Sequence, residues 1–195
     1  YDFTHAEPVV IAEDGKTEIF TDDRGYAQTI PMPYGKYLVR ETTTPHNFSP
    51  VDDFIVTISE NNPAEPQVWR VLLDEGFTAK LKIVKKDAES KKSVLIADTE
   101  FKIYDMDNKQ YVEQVTTYPE TVNHKSYFTD ANGYLILPNN LLPGHYRIEE
   151  INAPEGYLLN TAGVEVVIDC DAAFEVDSVS GDAIITVELE NLPVK

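Results

Sequence analysis

The chain has 195 residues, 42% of them hydrophobic, and a formal net charge of −18 at pH 7. Its length suits one large or two small domains, and its apolar content is sufficient to form a buried core. The negative charge excludes nucleic acid as a partner, because a phosphate backbone would repel such a surface, and it disfavours anionic membranes. Along the chain, short runs of Val, Ile, Thr and Tyr separated by Gly, Pro, Asn and Asp predict β-strands, with no convincing helical period.

Two runs in the first part of the chain alternate apolar and polar residues, namely YLVRE at 37–41 and FIVTI at 54–58. Successive side chains of a strand point to opposite faces, so this period predicts half-buried β-strands. Asp74-Glu75-Gly76 then ends one predicted domain, and Leu81 begins the next strand. The sequence therefore predicts two domains, at 1–78 and 79–195.

Internal similarity supports this division. TDDRGY at 21–26 recurs as TDANGY at 129–134, and PYGKYLVRE at 33–41 recurs as LPGHYRIEE at 142–150. Within the second pair, Gly, Tyr, Glu and a later Pro match at one constant offset, which a coincidence of turn residues would not produce. The second domain contains a segment at about 80–103 that has no counterpart in the first domain, so we expect the first domain to lack its opening strand.

Three predicted strands of the second domain each place a polar residue on their apolar face. Lys85 shares its face with Leu81 and Ile83, Glu150 follows Tyr146 and Ile148, and Asn191 follows Val187 and Leu189. Lys and Glu are almost never fully buried unless they are paired. One such residue alone could sit at a strand end and reach solvent. Three complementary groups together favour a chemical explanation.

A buried Lys, Glu and Asn in contact have the reactivity to form an amide. Burial favours the neutral forms of an amine and a carboxylic acid. A neutral Lys85 amine is a nucleophile for the Asn191 carboxamide, and Glu150 can polarise that carboxamide and move protons. Ammonia would leave, and enforced proximity would supply much of the rate. Lys82 and Lys86 lie on the opposite face and are poorer candidates.

These residues lie in motifs that resemble the Cna B-type (SpaA-like, prealbumin-like) domains of Gram-positive adhesins and pilins. Lys85-Lys86-Asp87 is similar to the K-x-D of that family, and YRIEEINAPEGY at 146–157 is similar to its E-box, with Glu150 at the catalytic position. Glu190-Asn191-Leu192-Pro193 resembles its closing strand. The resemblance covers 80–195 and implies a Lys85–Asn191 isopeptide bond with Glu150 as its catalyst.

The first domain resembles the family less completely. Glu41 lies in a recognisable E-box, and Asp74 stands where the family has its bond-forming Asn; an Asp would release water instead of ammonia. The strand that would carry a lysine is absent. Lys16 belongs to an apparent turn and Lys36 lies on the face opposite Glu41, so neither is a good substitute. Glu41 and Asp74 are therefore a possible remnant site, and we expect no crosslink in this domain.

The expected fold is all-β, with two tandem immunoglobulin-like (prealbumin-like) sandwiches of antiparallel sheets. The expected function is structural: a stalk or pilin-like segment of a Gram-positive surface protein. Its partners would be neighbouring domains, and it would be attached to the cell wall through regions outside this sequence. The alternative is an adhesin domain that binds a host matrix protein or glycan through the long stretch at 108–125. No enzyme activity beyond a single self-crosslinking turnover is expected, since no triad is evident.

We also expect no cofactor and no metal site, because the four histidines are scattered without metal-ligand spacing. No window approaches the roughly 20 apolar residues of a membrane span, and no signal peptide opens the sequence. The single cysteine, Cys170, excludes an internal disulfide and leaves the compartment open. It follows a strand-like run at 166–170 and is expected to be a half-buried, unreactive thiol.

Overall fold

A computed structural model describes residues 2–60 and 76–195, and the described residues form strands and turns without a helix. None of them lies in a helix long and apolar enough to cross a bilayer. The chain divides into two compact units, Tyr1–Pro45 with Ser49–Glu75 and His46–Phe48 with Gly76–Lys195. The main part of the second unit begins at Gly76, three residues before residue 79, where the sequence analysis begins the second domain.

Among its described residues, the first unit contains one antiparallel pair, β1 at Gly35–Val39 and β2 at Phe54–Ile58. Strand β2 coincides with the predicted run at 54–58, whereas β1 overlaps the predicted run at 37–41 only as far as Val39, so Glu41 lies beyond the strand end. Tyr37 faces Val56 in the register and is partly buried, so one face of the pair is more covered than the other.

The second unit contains eleven strands among the described residues, most of them antiparallel. They are β3 Ala79–Asp87, β4 Glu100–Asp105, β5 Gln110–Tyr111, β6 Gln114–Thr116, β7 Val122–His124, β8 Tyr127–Phe128, β9 Tyr134–Ile136, β10 Gly144–Asn152, β11 Val164–Ile168, β12 Glu175–Val176 and β13 Ala183–Asn191.

These strands form two main sheets and a separate hairpin. The first sheet has the order β11-β10-β4-β5, with β8 also pairing β4, and the second has the order β12-β13-β3-β9. Strands β6 and β7 form the hairpin, so part of the long stretch at 108–125 is paired structure. The neighbours β3 and β13 are parallel, which places the beginning and the end of this unit side by side.

The core of the second unit is built from the alternating apolar residues of β3, β4, β10 and β13. Its fully buried members include Leu81, Ile83, Phe101, Ile103, Ile148 and Leu189. Burying a side chain of this size contributes about 1.5–3 kcal/mol, so these positions dominate the stability of the unit. On β3, β10 and β13 the same alternation continues beyond these apolar residues, and the next inward positions are polar: Lys85, Glu150 and Asn191.

The sequence repeat corresponds to a repeat of hydrogen bonds. The hydroxyl of Tyr37 donates to the Pro33 carbonyl oxygen at 2.7 Å, and that of Tyr146 donates to the Leu142 carbonyl oxygen at 2.8 Å, each four residues earlier. The TDDRGY and TDANGY turns also close with the same backbone bonds. Equivalent local structures therefore occur in both units.

In the second unit, one strand end differs from the sequence prediction. The pattern at 166–170 predicts a strand that extends to Cys170, but β11 ends at Ile168 and Cys170 lies in a turn. The side chain of Asp169 accepts a hydrogen bond from the Asp171 amide at 2.9 Å, which bends the backbone out of the strand. Cys170 is partly buried, as expected for the thiol.

Candidate functional site

Parallel pairing of β3 with β13 brings Lys85 and Asn191 onto one face of the second sheet. In the register Lys85 faces Leu189 and Asn191 faces Asp87, so Lys85 and Asn191 are offset by two residues, or about 6.6 Å along the strands. A Lys side chain is long enough to span that offset. Both side chains point into the sandwich, with relative exposures of 0% and 2%.

Glu150 reaches the same place from β10, in the opposite sheet. Its side chain is fully buried, and its two carboxylate oxygens face different partners. Oε1 lies 3.0 Å from the Lys85 Nζ, and Oε2 accepts a hydrogen bond from the Asn191 Nδ2 at 2.7 Å. The carboxylate thus lies between the amine and the carboxamide.

The surroundings of Lys85 favour its neutral form. Burial lowers the pKa of the Lys85 amine below its ordinary value, and the nearby Glu150 carboxylate opposes this without cancelling it. The ring of Phe101 lies 5.7 Å from the Lys85 Nζ and adds to the apolar lining. A lysine with a lowered pKa presents more free amine at neutral pH, which is what a nucleophile needs.

Several polar atoms of the site have unused hydrogen-bonding capacity. Within the described part of the chain, the Lys85 Nζ, the Glu150 Oε1 and the Asn191 Oδ1 are buried and have no hydrogen-bond partner. The Lys85 Nζ and the Glu150 Oε1 are nevertheless paired by charge at 3.0 Å, whereas the Asn191 Oδ1 has no such partner. Buried unsatisfied groups cost about 1–3 kcal/mol each, so their clustering at one place requires an explanation.

The segment 156–160, which begins with the last two residues of the E-box, covers Asn191. It runs beside the end of the chain: the Leu158 amide donates to the Leu192 carbonyl oxygen, and the Val194 amide donates to the Gly156 carbonyl oxygen, both at 2.8 Å. The Leu158 carbonyl oxygen accepts from the Asn191 Nδ2 at 2.7 Å. The Asn160 amide donates to the Glu150 Oε2, also at 2.7 Å.

The contributions of Leu158 and Asn160 are not predicted from the sequence. Both contact the site through backbone atoms, and a backbone contact leaves no signature in residue type. Asp87 and Tyr157, which belong to the quoted motifs, join the ends of this region, because the Tyr157 hydroxyl donates to the Asp87 Oδ2 at 2.9 Å. That bond ties the 156–160 segment to the end of β3.

In the first unit, Glu41 has the same local contact as Glu150. Its Oε2 accepts a hydrogen bond from the Val51 amide at 2.8 Å, ten residues later, as Glu150 does from Asn160. Lys16 lies in a turn and pairs with Asp14 at 2.7 Å, which agrees with the expectation that it is no substitute nucleophile. Asp74, the other half of the possible remnant site, lies outside the described residues.

One group of potential metal ligands occurs among the described residues, and it lies in the second unit. The ligand atoms of His46, Asp169, Cys170 and Asp171 are within 4.8 Å of one another. His46 Nε2 lies 2.9 Å from Asp169 Oδ2, and this hydrogen bond raises the pKa of His46. The hydrogen-bonded pair satisfies both groups without an ion, and the absence of a metal site remains a prediction.

The family comparison identifies this arrangement of strands. The SpaA family model, described as a prealbumin-like fold domain, matches residues 4–69 and 79–182. The chain therefore belongs to the SpaA prealbumin-like domain family, and the resemblance drawn from the motifs is confirmed. The matched residues include Lys85 and Glu150 and end before Asn191.

A solved structure shares the fold at low sequence identity. The Bacillus anthracis TIE protein superposes with a TM-score of 0.64 at 22% identity, over 89% of this chain and 28% of that one. The minor pilin of Streptococcus agalactiae is also similar, at 22% identity and a TM-score of 0.45, over 86% of this chain and 64% of that one. The chain thus spans less than a third of the length of the TIE protein. A search of curated proteins gave no match.

Proposed function

We propose that the second unit forms an intramolecular isopeptide bond between Lys85 and Asn191, with Glu150 transferring the protons. The observation that carries this proposal is the burial of all three side chains, with Glu150 in contact with both Lys85 and Asn191. A plain ion pair would not need the buried carboxamide. Family membership supports the same assignment, since the three residues lie in the motifs of the resemblance.

The geometry suggests a distinct task for each carboxylate oxygen. A neutral Lys85 Nζ attacks the Asn191 Cγ and loses a proton to Oε1, which lies beside it. Glu150 then passes that same proton to the Asn191 Nδ2, which its Oε2 contacts, so ammonia leaves. One C–N bond forms, one C–N bond breaks, and Glu150 ends in the protonation state in which it began. The reaction is a single turnover that consumes its own side chains.

The proposed bond would join the first and the last long strand of the unit. It would close a loop of about 100 residues, and in the chain-entropy model such a covalent link stabilises a fold by about 4.7 kcal/mol. We propose that the chain is a structural stalk or pilin-like segment of a Gram-positive cell-surface adhesin, located outside the cell and attached to its wall. Resistance to unfolding is the property that such a segment needs.

Intact mass of the denatured full chain tests the crosslink. We expect the wild-type mass to be lower than the sequence mass by one ammonia, and Lys85→Ala, Glu150→Ala and Asn191→Ala to have the full sequence mass. Matched controls are Lys82→Ala and Glu149→Ala, neighbours on the opposite strand faces, which should keep the deficit. A folded wild-type chain whose mass equals the sequence mass would contradict the proposal.

A second candidate function rests on the hairpin formed by β6 and β7. Its turn carries Tyr118, which is 90% exposed, and Val115 and Val122 are exposed on the strands. Exposed apolar side chains on one hairpin suit contact with a host matrix protein or glycan. Replacing Tyr118 and Val115 by Ser should abolish binding to a matrix-protein or glycan array without changing the melting temperature; unchanged binding would argue against this candidate.

A further inference from the structure

We infer that the site is selective for a carboxamide acceptor: the Leu158 carbonyl oxygen and Glu150 together favour Asn over Asp at position 191. This inference rests on the proposed crosslink. It adds that this pocket favours ammonia over water as the leaving group, and that Asn160 is the residue that positions the selective contact.

The selectivity follows from the two hydrogen atoms of the Asn191 Nδ2. One is donated to the Glu150 Oε2 and the other to the Leu158 carbonyl oxygen, each at 2.7 Å. A peptide carbonyl can only accept hydrogen bonds, so the amide nitrogen, and not Oδ1, must face Leu158. This fixes the orientation of the carboxamide and places the leaving nitrogen against the carboxylate that protonates it.

The 156–160 segment is held firmly enough to impose this orientation. Leu158 is hydrogen-bonded through its amide to Leu192, so its carbonyl oxygen is fixed relative to the end of β13. Asn160 adds a side-chain anchor, because its Nδ2 donates to the Glu190 carbonyl oxygen at 2.9 Å while its Oδ1 accepts from the Ala162 amide at 3.0 Å. The backbone amide of Asn160 meanwhile holds the Glu150 Oε2.

An aspartate at position 191 would conflict with these contacts. An oxygen in place of Nδ2 would face two acceptors at hydrogen-bonding distance, and a protonated carboxyl has a single hydrogen with which to satisfy one of them. An ionised carboxylate could satisfy neither and would be repelled by Glu150. Loss of a buried hydrogen bond at a charged acceptor predicts a rate of crosslinking at least about tenfold lower for Asn191→Asp.

The experiment follows crosslinking in time. Full-length chains are made by cell-free translation, quenched in denaturant at intervals and analysed by intact mass, with peptide mapping to locate the link. We expect the wild type to lose ammonia, Asn191→Asp to lose water at least about tenfold more slowly, and Asn160→Ala to lose ammonia about two- to tenfold more slowly than the wild type. Asn140→Ala removes an exposed hydrogen bond to Asp182 in the same unit and should match the wild type.

Each outcome decides the inference. If Asn191→Asp loses water as fast as the wild type loses ammonia, the selectivity is refuted while the crosslink stands. If Asn191→Asp fails to fold, Asn160→Ala decides, and a wild-type rate there refutes the positioning by the 156–160 segment. A wild-type chain that folds with its full mass overturns both the crosslink and this inference.

Discussion

Burial of the Lys85 amine has a large effect on the stability and reactivity of the second unit. It is fully buried, and burial lowers its pKa against the opposing effect of Glu150. A buried amine that keeps its proton is costly, and a buried amine that loses it is reactive. The fold therefore holds Lys85 in a state that amide formation would relieve, since an amide nitrogen carries no charge.

A pH-dependent stability follows for the Glu150→Ala chain, which should be uncrosslinked. Without the carboxylate, the pKa of Lys85 in the folded state falls further below the ordinary value of about 10.4 that it has when unfolded. Between these two values the unfolded chain binds more protons, so the free energy of unfolding should rise with pH, by at most about 1.4 kcal/mol per unit. Urea unfolding at several pH values measures this slope.

The control for that slope is the double variant Lys85→Met with Glu150→Ala, in which the titrating amine is absent. Other groups that titrate in the same range are common to both proteins. We expect the double variant to lack the additional rise in stability with pH. Identical slopes in the two proteins would mean that Lys85 reaches solvent once Glu150 is removed.

The sequence predicts the side-chain half of this site and misses the backbone half. Lys85, Glu150 and Asn191 are visible because each interrupts an apolar face with period two, which sequence alone reveals. The Leu158 carbonyl oxygen and the Asn160 amide are invisible because every residue has a carbonyl and nearly every residue an amide. The contact of His46 with Asp169 spans 123 residues, and no local pattern encodes so distant a pair.

At the scale of elements, the turn before β9 supports the strand that carries Lys85. The Gly133 carbonyl oxygen accepts from the Lys85 amide at 2.9 Å, and the Lys85 carbonyl oxygen accepts from the Val94 amide at 3.0 Å. Gly133 has a φ of +74°, and a Cβ atom there would lie 1.8 Å from the Val94 carbonyl oxygen. The close approach of three backbone segments is possible because Gly133 has no side chain.

Gly133→Ala should accordingly destabilise the second unit by more than the cost of the positive φ alone, because the added Cβ would also clash with the Val94 carbonyl oxygen. Gly181 is a matched control, since its φ is +76° and a Cβ atom at that position would have no neighbour within 4 Å. We expect Gly181→Ala to cost about 1 kcal/mol and Gly133→Ala at least twice as much, measured by urea unfolding in the Glu150→Ala background. Equal costs would show that the Val94 backbone moves aside freely.

The positions of strand ends are harder to predict than the strands themselves. The faces of β3, β10 and β13 follow from their alternation, because a one-residue slip would bury charged side chains. The end of β11 depends instead on a single side chain, Asp169, which accepts the Asp171 amide and turns the chain. Likewise, the pairing of β6 with β7 depends on contacts across a turn, so the sequence pattern indicates only a long connection at 108–125.

At the scale of the whole molecule, the parallel pairing of β3 with β13 determines where a pulling force acts on the second unit. Tension applied to the ends of the second unit would enter near Gly76 and Lys195 and reach the proposed Lys85–Asn191 bond before the strands between them. Covalent closure there would keep about 100 residues out of the load path, whereas without it the two strands would be parted by rupture of hydrogen bonds.

Single-molecule stretching of the full chain, held at its two termini, measures the difference. Unfolding of the uncrosslinked second unit would release about 100 residues, or roughly 350 Å of contour at 3.3–3.6 Å per residue. We expect this step in Glu150→Ala and not in the wild type, with Glu149→Ala behaving as the wild type does. The step in a wild-type chain whose mass deficit has been verified would place the bond elsewhere than between Lys85 and Asn191, because a link between those residues shields every residue that lies between them.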